Sequence, residues 1–80
     1  MSNESFEKEK KMLGFKISEF RQKVINPKTQ KPISQEELAY RTGHAKKTIG
    51  EIERGNTNPT LETLLIICRE LNISISELFK

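Results

Sequence analysis

Lys46 and Lys47, followed one turn later by Gly50 and Glu51, are the residues whose types and spacing carry the most chemistry in this chain. Ile49 and Ile52, three apart, give a helix here one apolar side and leave Lys46, Lys47, Gly50 and Glu51 on the opposite, wet side. A helix whose outer face opens with two lysines suits an anionic partner. Catalysis has far less to draw on. The only histidine, His44, stands beside this segment, and the only cysteine, Cys68, lies in an apolar run. No nucleophile–base spacing, phosphate loop or metal-ligand set appears. The expectation is a protein that is not an enzyme and needs no cofactor or metal.

The segment that positions these residues reads as two short helices joined by a tight turn. Ser34 followed by Glu37 is a capping box that starts a helix with Leu38 and Ala39 as its inward residues. Gly43 stops it, because glycine takes φ > 0 at no steric cost, and the chain can reverse and begin a second helix at Lys46 that Gly55 ends. That is a helix-turn-helix. Upstream, Leu13, Ile17, Phe20 and Val24 recur at helical spacing and predict a first core helix from Met12 that Asn26-Pro27 terminates. Residues 26–32 read as a loop because neither Pro27 nor Pro32 continues a helix. Lys28 and Lys31 make this loop either a plain surface insertion or a basic finger lying on a neighbouring phosphate. Residues 1–11, with Phe6 as their main apolar residue, read as an N-terminal extension, frayed or adding a turn to the first helix, and 12–80 as the domain.

Downstream, Asn56-Thr57-Asn58-Pro59 forms a turn, and Thr60 caps a helix expected to bury Leu61, Leu64, Leu65, Cys68 and Leu71. Ser74 with Glu77 makes a second capping box, for a last short helix containing Leu78 and Phe79. Eighty residues make one domain that buries only about 60% of its unfolded surface, so the core must be compact. No apolar run approaches the ~20 residues of a membrane span and no signal-peptide pattern opens the chain, which points to the cytoplasm. The net charge of +3 is unevenly placed: residues 21–47 carry a local +5, and the rest −2. The positive charge gathers around the motif, beyond what scattered solvated lysines would give.

The stretch Ser-Gln-Glu-Glu-Leu-Ala, then Gly43, Ile49, Ile52-Glu53-Arg54-Gly55 and Asn58-Pro59, resembles the phage-repressor-like helix-turn-helix proteins known as the Xre or Cro family. Leu13-Gly14-Phe15-Lys16-Ile17 through Arg21 is similar to that family's first helix, and Thr60 to Phe79 to its last two. The resemblance implies an all-α, five-helix, lambda-repressor-like domain that binds operator DNA as a transcriptional regulator. The loop at 26–32 departs from it by being longer.

The resemblance also implies roles. Ala45, Lys46, Lys47, Gly50 and Glu51 match the positions that face the major groove. There lysine can donate to guanine O6 and N7, a carboxylate can accept from the cytosine amino group, and alanine can touch a thymine methyl. Glu51 could instead pair with Lys47. Gln35 matches a phosphate-contacting glutamine, while Asn56, Thr57 and Asn58 would hold phosphates after the recognition helix, with Tyr40 and Arg41 as weaker candidates. Arg21 and Glu53 match a structural pair that orients the motif. Ala45 replaces the family's usual serine or threonine cap, which weakens the helix start by about 1 kcal/mol unless His44 or water supplies the acceptor. Mid-helix Gly50 costs about another 1 kcal/mol relative to alanine.

The function expected is therefore sequence-specific regulation of transcription, with double-stranded operator DNA as partner. The alternative is a protein-interaction module, such as an antitoxin that binds a cognate toxin and represses its own operon. Ile66, Ile75 and Phe79 are apolar beyond what so small a core can use, and the reading is a homodimer formed there.

Overall fold

Ile17, Ile33, Leu38, Ile49 and Ile67 are fully buried, and the chain is folded so as to bring these five residues together. A computed structural model describes residues 6–80. The elements run α1 (Glu7–Arg21), β1 (Ile25–Asn26), β2 (Lys31–Pro32), α2 (Gln35–Thr42), α3 (Lys46–Arg54), α4 (Leu61–Leu71) and a closing 3-10 helix, Ile75–Phe79. The class is all-α, as expected, with the fifth helical element a 3-10 helix. Residues 1–5 of the expected 1–11 extension lie outside the described residues, and Glu7 to Lys11 form the first turns of α1.

Helix α1 packs across α3 at Gly14, where a Cβ would run into the carbonyl oxygen of Ile52 and come within 2.5 Å of that of Glu53. Only a residue without a side chain lets the two backbones meet. Gly43 and Gly55 close α2 and α3 at φ 76° and 75°. Gly55 has a second constraint, because the Lys11 backbone lies 2.7 Å from where its Cβ would stand. The first helix is thus wedged against the end of the third.

Three features differ from the sequence reading. Helix α1 ends at Arg21, five residues before the expected stop near Asn26. Gln22 caps it, and Lys23 N–H and Val24 N–H turn back to the Phe20 and Arg21 carbonyls. Val24 still packs on the core, but from the bend between α1 and β1, and its carbonyl accepts from Ile33 N–H at 2.8 Å. Residues 26–32 are correspondingly no plain loop. Ile25 pairs with Pro32 and Asn26 with Lys31 in an antiparallel hairpin. Its turn is held by Asn26 Oδ1 accepting from Lys28 N–H at 2.8 Å, with Gln30 at φ 62°.

The third difference is the phase of α4. Leu64, Ile67, Cys68 and Leu71 are buried, a stripe centred on Ile67 that leaves Leu65, one residue off it, 47% exposed. Leu61, in the solvent-facing first turn, is 65% exposed. Both had been expected inside. The caps hold more uniformly: Thr60 Oγ1 accepts from Thr63 N–H, and Ser74 with Glu77 makes both bonds of its box. At α2 the box is half made. Ser34 Oγ accepts from Glu37 N–H at 3.0 Å, while the Glu37 carboxylate takes Arg41 Nε at 2.9 Å.

Candidate nucleic-acid interface

One carboxylate ties the motif together. Arg21, in the last turn of α1, donates through Nε to Glu53 Oε2 at 2.7 Å and through Nη2 to Oε1 at 3.0 Å. Its Nη1 reaches the Ile33 carbonyl at 2.8 Å, where the hairpin leads into α2. Gln35 Nε2, at the first residue of α2, donates to the same Glu53 Oε1 at 2.9 Å. The side chains of Arg21 and Glu53 are only 12% and 5% exposed, so this charge-assisted fork sits largely out of water. It fixes α1, the hairpin exit and the start of α2 against α3. Gln35 keeps one amide N–H for an outside acceptor.

Beyond this fork, α3 carries the residues singled out in the sequence. Lys46 and Lys47 are exposed. Glu51 pairs with Arg54 Nη2 at 3.1 Å, one turn ahead, in place of the alternative pairing with Lys47. Gly50, expected on the wet side, is buried. The reason is local: the Arg54 guanidinium lies back over it, 3.2 Å from where a Cβ would stand, and Gln35 Oε1 approaches to 3.5 Å. Arg54 was missed as a surface residue of this helix, although its spacing from Gly50 and Glu51 carried the signal. Ala45 holds the N-cap in an extended conformation with no side-chain acceptor. His44 does not supply one, since its buried Nδ1 has no hydrogen-bond partner among the described residues.

The turn after α3 presents Asn56 and Asn58 to solvent, with Thr57 half-buried. Asn56 N–H closes the helix on the Glu51 carbonyl at 2.9 Å. A shallow groove joins Gly55 and Asn56 to Glu7, Lys10 and Lys11 of α1, so two lysines from the expected extension border the turn. Tyr40 is exposed, and Arg41 is engaged by Glu37. Lys46 and Lys47 thus open α3 just after the α2–α3 turn, Gln35 meets α3 further along, at Gly50 and Glu53, and 56–58 follow its far end. Of the apolar residues expected at a dimer contact, Phe79 is 65% exposed, Ile66 is half-buried, and Ile75 packs against the core and is not free.

A family model described as helix-turn-helix matches residues 28–78, which includes α2, α3 and the turns on either side. The chain belongs to the helix-turn-helix family. An HTH-type transcriptional regulator of Archaeoglobus fulgidus is 38% identical over 64 residues, 80% of each chain. The control protein C.SmaI of Serratia marcescens is 44% identical over 46 residues, 58% of this chain and 55% of that protein, so the match spans about half of that relative. Among solved structures, the restriction-modification controller protein C.AhdI from Aeromonas hydrophila is similar with a TM-score of 0.78 at 30% identity, covering 95% of this chain and all of that one. The clp gene regulator ClgR from Corynebacterium glutamicum shares the fold at 24% identity, with a TM-score of 0.75 over 89% of this chain and 68% of that one.

Proposed function

We infer that this protein is a sequence-specific DNA-binding regulator of transcription that lays α3 in the major groove of an operator. The observation that carries the reading is the Arg21–Glu53–Gln35 fork, which holds the start of α2 against α3 and leaves Lys46 and Lys47 facing outward. Base readout demands such rigidity, because a side chain distinguishes donors from acceptors only if its helix is held in register on the phosphates. Lys46 and Lys47 read guanine edges, Glu51 and Arg54 act as a coupled pair, and Gln35 with Asn56, Thr57 and Asn58 grips the backbone on either side. Ala45, at the start of α3, lies against a thymine methyl. Gly50 keeps the helix low beneath Arg54.

The relatives named as control or controller proteins favour a regulator of a small operon, restriction-modification among the candidates. An antitoxin would instead form a tight complex with the product of a neighbouring gene. The protein acts as a homodimer through the outer face of α4 and Phe79. No helix among the described residues is long and apolar enough to cross a membrane. The deciding experiment is selection of duplexes from a random pool by the purified chain, followed by titration of the recovered sequence against a scrambled one. A recovered consensus containing G·C pairs, bound at least a hundredfold more tightly than the scramble, supports the reading. Equal binding to both removes sequence specificity from it.

A further inference from the structure

Residues 22–33 contain Lys23, Lys28 and Lys31 and no acidic residue, a charge equal to the net charge of the whole chain. They are not a slack insertion. The two strands pair in register, Gln30 N–H donates to the Asn26 carbonyl at 2.7 Å, and Thr29 Oγ1 accepts from Lys31 N–H at 3.2 Å. Lys23 lies over the Phe20 ring, 5.2 Å from its centre. Lys28 and Lys31 are exposed and make no ion pair among the described residues, whose ion pairs are Arg21–Glu53, Arg41–Glu37 and Arg54–Glu51. Two lysines held out on a short, hydrogen-bonded hairpin have no ion-pair partner among the described residues, although exposed Glu36 lines the same groove as Lys28, and they stand available for an electrostatic task.

The hairpin's place in the fold says what that task is. Ile33, directly after β2, donates its N–H to the Val24 carbonyl and receives Arg21 Nη1 on its own carbonyl. The same guanidinium holds Glu53, and Glu53 holds Gln35. Hairpin base, start of α2 and recognition helix therefore share one anchor and cannot move independently. Lys31 stands four positions before Gln35, a span of at most about 14 Å. A duplex carries one charge per ~1.7 Å of axis, so phosphates adjoining the one at Gln35 lie within that span. On the other side, Asn26, Pro27 and Lys28 wall a groove with Ser34, Glu36, Glu37, Tyr40 and Arg41, where Glu37 is already neutralised by Arg41.

We infer that the hairpin is a second DNA contact, in which Lys28 and Lys31 each meet a backbone phosphate outside the base pairs covered by α3, on the strand that passes the start of α2. This rests on the DNA-binding reading above and extends it. The contact carries no sequence information, because the hairpin presents only ammonium groups to phosphate. Its effect is a longer footprint, more affinity and a steeper dependence on salt.

The test uses the full chain and the duplex recovered from the random pool, at two lengths. One ends at the outermost specified base pair, and the other carries about six further arbitrary pairs on each side, which exceeds the reach of the hairpin. Anisotropy titrations over a series of salt concentrations compare the wild type with Lys28→Ala/Lys31→Ala. On the long duplex the variant should bind roughly tenfold more weakly near physiological salt, with a log–log salt slope shallower by about 1.8 per half-site. Its ranking of operator sequences should not change. On the short duplex it should match the wild type, and Lys28→Arg/Lys31→Arg should restore the loss, which separates lost charge from lost fold. Equal binding by wild type and alanine variant on both duplexes, or an equal loss on both, overturns the inference while leaving DNA binding intact. A wild type that binds no duplex removes the DNA reading and this one with it.

Discussion

Lys46 and Lys47 are exposed on α3 while Ile49 and Ile52 are buried in the core, so the two halves of this helix can be tested separately. Replacing either lysine by alanine should leave stability within about 0.5 kcal/mol and weaken operator binding by ~1–3 kcal/mol if that lysine reads a base. Thermal melts alongside titrations decide it, and an early-melting variant that binds normally when folded would refute the assignment. Gly50 invites a second substitution. Alanine there meets the far end of the Arg54 side chain at 3.2 Å, which can swing away, and gains up to about 1 kcal/mol of helix propensity. Gly50→Ala should therefore melt no lower than the wild type. A clear loss of stability would mean that Arg54 and Gln35 are fixed where they lie. Cys68 gives a pH-dependent prediction. Burial first, and the nearby Glu77 carboxylate second, push its thiol above its ordinary value. The unfolded chain then loses the proton at lower pH than the folded one. Stability is unaffected below the ordinary thiol range and falls as pH rises through it toward the folded value. Denaturant midpoints from neutrality to about pH 10 should drop more in the wild type than in Cys68→Ala. Parallel curves would remove the effect.

At the scale of elements, the Arg21–Glu53 fork joins three helices and the hairpin, and its loss should exceed that of a surface ion pair. Removing one partner leaves the other charge largely buried, so Arg21→Ala or Glu53→Ala should cost roughly 3 kcal/mol or more, against ~1 kcal/mol or less for an exposed pair such as Arg54–Glu51. Denaturant titration of both variants reads this directly, and small losses in both would contradict the burial. The α2–α3 turn, Gly43, Gly55, the caps at Ser34, Thr60 and Ser74, and the core role of Cys68 were all legible in the sequence because each is a local rule, settled within four residues. What escaped was set at a distance. Arg21 engages Ile33 and ends α1 earlier than the apolar spacing suggests, and the hairpin depends on a Val24–Ile33 bond across nine residues. Gly50 is covered by Arg54, one turn on, and its cover is completed by Gln35, fifteen positions away. The outward turn of Leu61 and Leu65 follows from Ile67 taking the centre of the core, a choice among the five consecutive apolar residues 64–68 that periodicity alone leaves open.

At the scale of the whole molecule, a single α3 offers few base contacts, and useful operator affinity calls for two copies acting together. The apolar residues this fold leaves outside suggest how they meet. Leu61 and Leu65 stand one turn apart on the outer face of α4, Ile66 borders them, and Phe79 is exposed at the end of the closing 3-10 helix. Glu62 and Arg69 share that face, seven residues apart, and a two-fold pairing of antiparallel α4 helices would set each glutamate of one copy beside the arginine of the other. An apolar strip with self-complementary charge at its ends is what an isologous contact requires. Pairing there can present two recognition helices about one DNA turn, ~34 Å, apart. Ile75, which packs inward, is not needed for it. Leu65→Glu places a charge at the middle of the strip without touching the buried stripe of α4, so it should melt like the wild type yet sediment as a monomer at tens of micromolar, where the wild type sediments as a dimer. Its binding to a full operator should fall to that of a half-site. A wild type that is monomeric at every concentration, or a variant that still pairs, would place the self-contact elsewhere or remove it.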